Sequence, residues 1–336
     1  PSLKTFISSD QNFVELIELQ ILEPLKEIEL SRTIQSLGSI NDIISNKVKA
    51  QYEKNPYPRW RYGNHSKDQK FSFTQAINID IHPNSINHNE DKKETKVLIA
   101  GCGTGNQILQ AQKYKNSQIT GIDLSLSSLS YAKRKINELK IDNVKLIQMD
   151  ILEVGLLKEK FDIIECSGVL HHMNDPLQGL KPLLAVLKNC GFLNIGLYSE
   201  LARKDIVKAR KYISSKNLEP TTTDIRRFRN DVISGTYPEI DSLQMRSSFY
   251  SMSECRDLCF HAMEHRFTID QIQDILKTKK LKFLGFLLRH PVKSLYKKYF
   301  PEDITQTNLH NWRKFEEKHP NTFRGMYQFW VCKTNK

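Results

Sequence analysis

Three glycines stand at alternate positions, Gly101, Gly103 and Gly105, and their spacing is typical of a turn that binds a ligand. They follow an apolar run at 97–100, which is typical of a strand buried on both faces of a parallel sheet. Glycine permits a sharp turn and lets a ligand approach the main chain closely. A helix beginning near Asn106 would add free N–H groups and a positive dipole end. The stretch therefore predicts a nucleotide-binding turn.

A carboxylate stands at the end of the next predicted strand. Asp123 closes the run 118–123, where an acid can accept hydrogen bonds from the two ribose hydroxyls of a nucleotide. Position 106 is Asn, so the glycines differ from the dinucleotide pattern G-x-G-x-x-G. The order of strand, glycines, helix, strand and acid predicts a bound nucleoside. An NAD-dependent oxidoreductase remains a weaker alternative.

Residues 97–105 and 121–125 resemble the cofactor motifs of class I S-adenosylmethionine-dependent methyltransferases. More narrowly, the segments 52–60 (YEKNPYPRW), 121–132 and 168–173 (GVLHHM) look like a bacterial subgroup in which this domain often follows tetratricopeptide repeats. The resemblance runs from about residue 45 to the end, and the sequence contains no such repeats. It implies methyl transfer with S-adenosyl-L-methionine as the cofactor, but it does not identify the acceptor. The expected acceptor is a small acidic metabolite or a peptide or protein side chain.

The expected cofactor contacts follow the turn and the ends of the next strands. In the resembled family an acid at the position of Asp150 commonly accepts a hydrogen bond from the adenine amino group. The expected cofactor-binding residues are Gly101, Cys102, Gly103, Thr104, Gly105, Asp123, Leu124, Asp150, Ile151, Cys166 and Gly168.

Methyl transfer from a sulfonium requires the protein to align the acceptor, exclude water and, where needed, remove a proton. His171 and His172 follow the predicted fourth strand, beside the expected methyl group, and are the candidate catalytic residues. Packing beneath the cofactor is the alternative for both.

Candidate substrate contacts come from a proline-fixed aromatic arm and from the end of the fifth strand: Tyr57, Arg59, Trp60, Tyr198, Glu200 and Arg203. The arm's aromatics could instead simply pack on the sheet, and Glu200 with Arg203 could be a helix-start acid and its i+3 partner.

Alternating strands and helices from residue 96 predict an α/β fold with a doubly wound, Rossmann-like sheet. Seven strands are expected, the last of them antiparallel. Residues 1–95 are predicted to hold N-terminal helices, broken near Pro24 and Gly38, the aromatic and proline arm, and a polar connection with one strand at 71–81. Residues 96–199 and 269–336 form the predicted sheet domain. Residues 200–268 are predicted to be a helical insertion between the fifth and sixth strands, acting as a substrate lid.

Composition limits the classes of partner. The formal net charge of +12 favours an acidic acceptor, with a solvated basic surface as the alternative. The charge leaves RNA as a weaker alternative partner, although nothing resembles an RNA-binding module. The sequence has no run of eighteen apolar residues, so no membrane span is expected. The first residues lack the pattern of a secretory signal. Six scattered cysteines favour a reducing cytoplasm.

Two histidines, His261 and His265, are spaced as zinc ligands on one predicted helix over 252–266, which also carries Cys255 and Cys259. At about 100° per residue, the cysteine pair and the histidine pair point roughly 120° apart, so no metal site is predicted. A catalytically silent, methyltransferase-like binding module remains the alternative function. The intact glycines and Asp123 argue against it.

Overall fold

An eight-stranded sheet forms the centre of the computed structural model, which describes residues 8–63, 69–87 and 94–334. The strands are β1 (Gln35–Ser36), β2 (Thr95–Ala100), β3 (Ser117–Asp123), β4 (Val144–Gln148), β5 (Phe161–Ser167), β6 (Leu187–Leu197), β7 (Leu281–Phe286) and β8 (Tyr327–Lys333). Their order in the sheet is β1-β4-β3-β2-β5-β6-β8-β7, and β8 runs antiparallel to both of its neighbours. The predicted doubly wound α/β sheet with an antiparallel last strand is confirmed.

The prediction of seven strands was wrong by one. The additional strand, β1, consists of two residues that pair in parallel with Ile147 and Gln148 of β4 at the edge of the sheet. Both of its residues are exposed. A strand of two exposed residues has no apolar alternation, so its sequence contains no strand signal.

Helices cover both faces of the sheet because alternate residues of its strands point to opposite sides. The helices are α1 (Gln11–Ile17), α2 (Glu23–Ser31), α3 (Ile43–Lys54), α4 (Phe73–Ile81), α5 (Asn106–Ala111), α6 (Leu126–Glu138), α7 (Pro176–Val186), α8 (Lys204–Ser215), α9 (Thr222–Ile233), α10 (Met252–Phe260), α11 (Ile269–Thr278), α12 (His290–Tyr299) and α13 (Leu309–Lys318). On β2, Val97 and Ile99 face one core, with α4, α5 and α6, whereas Leu98 and Ala100 face the other, with α7, α11, α12 and α13. None of the helices in the described part of the chain is long and apolar enough to cross a membrane.

Two expectations for the N-terminal region were wrong. The segment 71–81 holds the helix α4 (Phe73–Ile81) where a strand was expected, because Phe73, Ala76, Ile77 and Ile81 recur at helical spacing and Ser72 caps the first turn. The expected break at Pro24 is absent, since a π-helical stretch, Glu18–Leu22, joins α1 to α2 and the proline lies in the first turn of α2. The predicted break near Gly38 is confirmed between α2 and α3.

The helical insertion lies between β6 and β7, where the sequence predicted it. It contains α8, α9, α10 and two short 3-10 segments, and it has a core of its own that includes Phe228, Phe249 and Phe260. The amide of Phe267 donates to the carbonyl of Tyr198 at 2.8 Å, and the amide of Glu200 donates to the carbonyl of Phe267 at 2.8 Å. The insertion therefore leaves and rejoins the sheet domain at one point.

Replacing Phe228 by Ala is expected to lower the free energy of unfolding by about 3–5 kcal/mol, since its ring is fully buried in the core of the insertion. Urea unfolding followed by circular dichroism measures the change. The control is Ile233→Ala at the end of the same helix, where the side chain is 53% exposed and the expected change is within about 0.5 kcal/mol. Equal losses in both variants would contradict an independent core in the insertion.

Candidate functional site

A cavity of about 340 Å³ lies at the carboxyl ends of β2, β3, β4 and β5. The turn after β2, the ends of β3 and β4, α3, the aromatic arm, α10 and β8 contribute to its lining. Its lining, among the residues that the structure describes, contains the carboxylates of Asp123, Asp150 and Asp257 but no lysine or arginine. The cavity therefore favours cationic or hydrogen-bond-donating groups.

The glycine turn adopts the geometry that its sequence predicts. Gly101, Gly103 and Gly105 have φ angles of +77°, +51° and +90°, in a region that other residues rarely adopt. Gly105 directly precedes α5, and a Cβ added to Gly103 would stand 3.1 Å from the carbonyl oxygen of Tyr57. Gly101 and Gly103 line the cavity, so the turn exposes main chain without side chains to it.

Asp123 stands directly beside that turn. Its Oδ2 accepts a hydrogen bond from the amide of Gly103 at 2.8 Å, and its Oδ1 accepts one from the amide of Ser125 at 2.9 Å. Desolvation by the surrounding protein raises the pKa of Asp123 to about 6. Each oxygen retains lone pairs for a further donor, which is what a pair of ribose hydroxyls would supply.

The other expected cofactor residues divide into two groups. Asp150 caps the 3-10 segment Ile151–Leu157 by accepting from the amide of Leu152 at 3.0 Å, and it lines the cavity with Gly101, Cys102, Leu124, Ile151 and Gly168. Thr104 and Gly105 belong to the turn but are buried, and Cys166 is buried within β5. These three do not appear among the described lining residues.

The aromatic arm presents one of its three expected substrate residues to the cavity. Tyr57 lines the cavity, whereas the indole of Trp60 donates to the carbonyl of Thr104 at 3.1 Å and so fastens the arm to the glycine turn. Arg59 is exposed and forms an ion pair with Glu27 at 3.6 Å. The structure therefore places Trp60 and Arg59 outside the cavity lining.

The two histidines differ in position. His172 lines the cavity, with its Nδ1 at 2.7 Å from the carbonyl oxygen of Met263 and its ring stacked 3.5 Å from that of His261. His171 lies deeper, stacked 3.7 Å from the ring of Tyr198, and neither of its ring nitrogens makes a well-formed hydrogen bond to a described residue. Burial lowers the pKa of both imidazoles well below the ordinary value, so both are neutral at neutral pH.

At the end of β6, Tyr198 alone of the three candidates lines the cavity. Arg203 is buried behind it, 3.6 Å from the centre of its ring, and donates to both carboxylate oxygens of Glu264 at 3.0 and 2.6 Å. Glu200 is exposed and accepts from Arg266 at 3.0 Å. The guanidinium of Arg203 therefore supports Tyr198 from the side away from the cavity.

Sequence reasoning missed Tyr52 and Asp257, which also line the cavity. The Tyr52 hydroxyl donates to Oδ1 of Asp257 at 2.6 Å, and burial raises the pKa of Asp257 to about 6. The two residues are 205 positions apart, so no local pattern joins them. The only signal was that Tyr52 opens the segment YEKNPYPRW.

The helix predicted over 252–266 ends at Phe260, so His261 and His265 do not share its face. Across the described residues, no three or more histidine, cysteine, aspartate or glutamate side chains are grouped so that they could hold a metal ion. His261 contacts Tyr52, and His265 contacts the carbonyl of Met173 at 3.0 Å. The structure therefore gives these histidines packing and hydrogen-bonding roles.

Comparison with known proteins identifies the domain. Residues 91–235 match the family model described as "Methyltransferase domain". The chain is 36% identical over 104 residues to the ubiquinone biosynthesis O-methyltransferase of Histophilus somni, covering 30% of this chain and 43% of that protein. The chain contains a class I S-adenosylmethionine-dependent methyltransferase domain. The glycine turn and Asp123 belong to this methyltransferase domain.

Two further similarities extend beyond the methyltransferase domain. An uncharacterized protein of Synechococcus is 30% identical over 206 residues, covering 57% of this chain and 48% of that protein. The structure of PKMT2 from Rickettsia typhi in complex with AdoHcy has a TM-score of 0.61 at 19% identity, covering 84% of this chain and 55% of that chain. The latter similarity concerns the fold. The chain spans about half the length of the first curated relatives that it matches.

Replacing Asp123 by Asn is expected to weaken S-adenosylmethionine binding about 10- to 100-fold, because hydrogen bonds to a charged group contribute about 1.5–3 kcal/mol. Isothermal titration calorimetry measures the dissociation constant. In the unaltered protein the affinity is expected to fall about tenfold per pH unit below pH 6, since protonation removes the acceptor.

The Asn variant is expected to lack this pH dependence. Asp142→Asn, on an exposed turn, is the matched control and is expected to bind as the unaltered protein does. An Asp123→Asn variant that binds normally would remove Asp123 from the cofactor site.

Proposed function

We propose that the protein transfers a methyl group from S-adenosylmethionine to an amine nitrogen, on a small molecule or on a peptide or protein side chain. The observation that carries this proposal is the charge of the cavity. Asp123 and Asp150 are assigned to the cofactor, so Asp257 is the carboxylate of the described lining that is left for the acceptor, and that lining has no basic side chain. Such a lining disfavours a carboxylate acceptor through like-charge repulsion and favours an amine.

The cofactor fits the end of the cavity that the glycine turn forms. Bare main chain at Gly103 allows close approach, and Asp123 and Asp150 stand where they can accept hydrogen bonds from ribose hydroxyls and from the adenine amino group. When bound, the cofactor supplies the methyl group and its sulfonium leaving group. The protein's part is to hold both reactants in line and to exclude water.

At the acceptor end, tyrosines surround the third carboxylate. Tyr52, Tyr57 and Tyr198 line the cavity with Asp257, and Asp257 interacts electrostatically with each of the three phenols. The Asp257 carboxylate attracts an ammonium group, whereas the faces of the Tyr198 ring are covered by His171 and Arg203. The acidic acceptor suggested by the net charge of +12 is the competing proposal, and the lining gives it no basic side chain.

The insertion is proposed to act as the substrate lid. It contributes Asp257 from α10, and the amide of Ala262 donates to Oε1 of Gln51 on α3 at 3.2 Å. Together with the bond between Tyr52 and Asp257, this contact joins the insertion to the N-terminal region over the acceptor end. Closure of this kind excludes water from a methyl-transfer site.

The decisive experiment uses methyl-labelled S-adenosylmethionine, the purified protein and a cell extract separated by size and treated with nuclease or protease. Label is expected on nitrogen, either in large, protease-sensitive material or in the small-molecule fraction. Label as a methyl ester, which mild base releases, would support the acidic acceptor instead. Cofactor binding without label in any fraction would favour a catalytically silent module, and calorimetric binding of NADH would favour an oxidoreductase.

His172→Ala is expected to lower turnover more than cofactor affinity, because His172 lines the cavity beside the acceptor end. His171→Ala removes a ring that is stacked on Tyr198, so its turnover is also expected to fall more than its cofactor affinity. Turnover from initial rates and cofactor affinity from calorimetry separate the two quantities. Unchanged turnover in both variants would exclude the histidines from the reaction.

A further inference from the structure

Asp257 is held by hydrogen bonds that lead away from the cavity. The Tyr52 hydroxyl donates to Oδ1 of Asp257 at 2.6 Å and lies 3.2 Å from Nε2 of His261. Nδ1 of His261 lies 2.8 Å from the carbonyl oxygen of Met263 and 3.2 Å from the Met263 amide nitrogen. A proton on Nδ1 serves the carbonyl and leaves Nε2 as an acceptor facing Tyr52, whereas a proton on Nε2 lets Nδ1 accept from the amide and Nε2 donate to the Tyr52 oxygen.

With a proton on Nδ1 of His261, this arrangement satisfies Asp257 in both of its protonation states. When the carboxylate is ionised, the Tyr52 hydroxyl donates to it. When the carboxyl group is protonated, it can donate to the Tyr52 oxygen while the Tyr52 proton turns to Nε2 of His261. Only a hydroxyl proton changes direction, so no heavy atom has to move.

The surroundings also set the basicity of Asp257. Burial is the largest cause that raises its pKa, to about 6, which narrows the difference from an amine, whose ordinary pKa is about 10.4. Tyr52 and Arg203 oppose this rise, and Glu264 and Glu254 add to it. The other titratable groups around the acceptor end are neutral at neutral pH, because burial raises the pKa of the two phenols and lowers that of the two imidazoles: Tyr57, Tyr198, His172 and His261.

We propose that Asp257 takes the proton from the acceptor amine, with Tyr52 and His261 as positioning residues. This inference rests on the proposed methyl transfer to an amine. The N–H bond of the bound ammonium breaks, its electron pair stays on nitrogen, and the proton joins the Asp257 carboxylate. The nitrogen lone pair then forms the N–CH₃ bond as the C–S electron pair passes to sulfur. The products are a methylated ammonium, neutral sulfur and protonated Asp257, which loses its proton to water on product release.

The test compares pH profiles of kcat/KM for the acceptor, with S-adenosylmethionine saturating at every pH so that Asp123 does not contribute, for the unaltered protein, Asp257→Asn and Asp231→Asn. The probe is methyl-labelled S-adenosylmethionine with the extract fraction that takes label from the unaltered protein. Asp231 is the matched control, because it also accepts from a tyrosine, Tyr212 at 3.1 Å, within the insertion but outside the described cavity lining.

The unaltered protein and Asp231→Asn are expected to gain about tenfold per pH unit up to pH 6 and then level off. Asp257→Asn is expected to be at least about 100-fold slower at pH 7. Its rate is expected to keep rising through pH 9, because only the neutral fraction of the amine then reacts. A plateau above pH 6 in Asp257→Asn, or a change confined to KM, would overturn the inference.

Tyr52→Phe provides a second readout. It removes a donor to the ionised carboxylate, so the pH at which the profile levels off is expected to move upward, whereas Tyr212→Phe leaves it in place. An unmoved break point would exclude Tyr52 as a positioning residue. Failure of the proposed methyl transfer and failure of the proposed role of Asp257 give different results. An unaltered protein that binds cofactor but labels no fraction overturns methyl transfer itself, whereas an active protein with an unchanged Asn variant overturns only the role of Asp257.

Discussion

Two main-chain hydrogen bonds, which join Phe267 to Tyr198 and to Glu200, determine how the acceptor half of this molecule is built. They close the insertion at its base, so that nearly seventy residues start and finish beside the end of β6. From this base α10 reaches over the cavity, and Tyr198 is fixed at the point of closure. The insertion has its own buried core, and contacts of Met263 and His265 with the segment after β5 hold it to the sheet domain together with this junction.

Burial, more than charge, controls the chemistry of the site. The stacked rings of His172 and His261 are neutral because a charged imidazole would be desolvated there, and the arginine nearest the acceptor end, Arg203, has its charge compensated by Glu264. Burial raises the pKa to about 6 both for Asp123, the proposed cofactor contact, and for Asp257, the proposed proton acceptor. The net charge of the chain therefore says little about the cavity.

The cofactor half of the site could be predicted from the sequence because its parts are local. One strand, three glycines and an acid at the end of the next strand lie within thirty residues, and their order implies their geometry. The acceptor half could not be predicted, since Tyr52 and Asp257 meet only when α3 and α10 pack together. The same holds for the fold, because the apolar runs of the long strands predict them correctly. The two-residue β1 has no such run, and the expectation of a strand at the position of α4 is wrong.

The aromatic arm touches the glycine turn at more than one point. Trp60 donates to Thr104, the Thr104 hydroxyl donates to the carbonyl of Pro58, and the carbonyl of Tyr57 stands over Gly103. A ligand that shifts the turn would therefore also shift the arm, which carries Tyr57 to the cavity. Thermodynamic linkage makes such an effect reciprocal: each reactant would change the affinity for the other by the same factor.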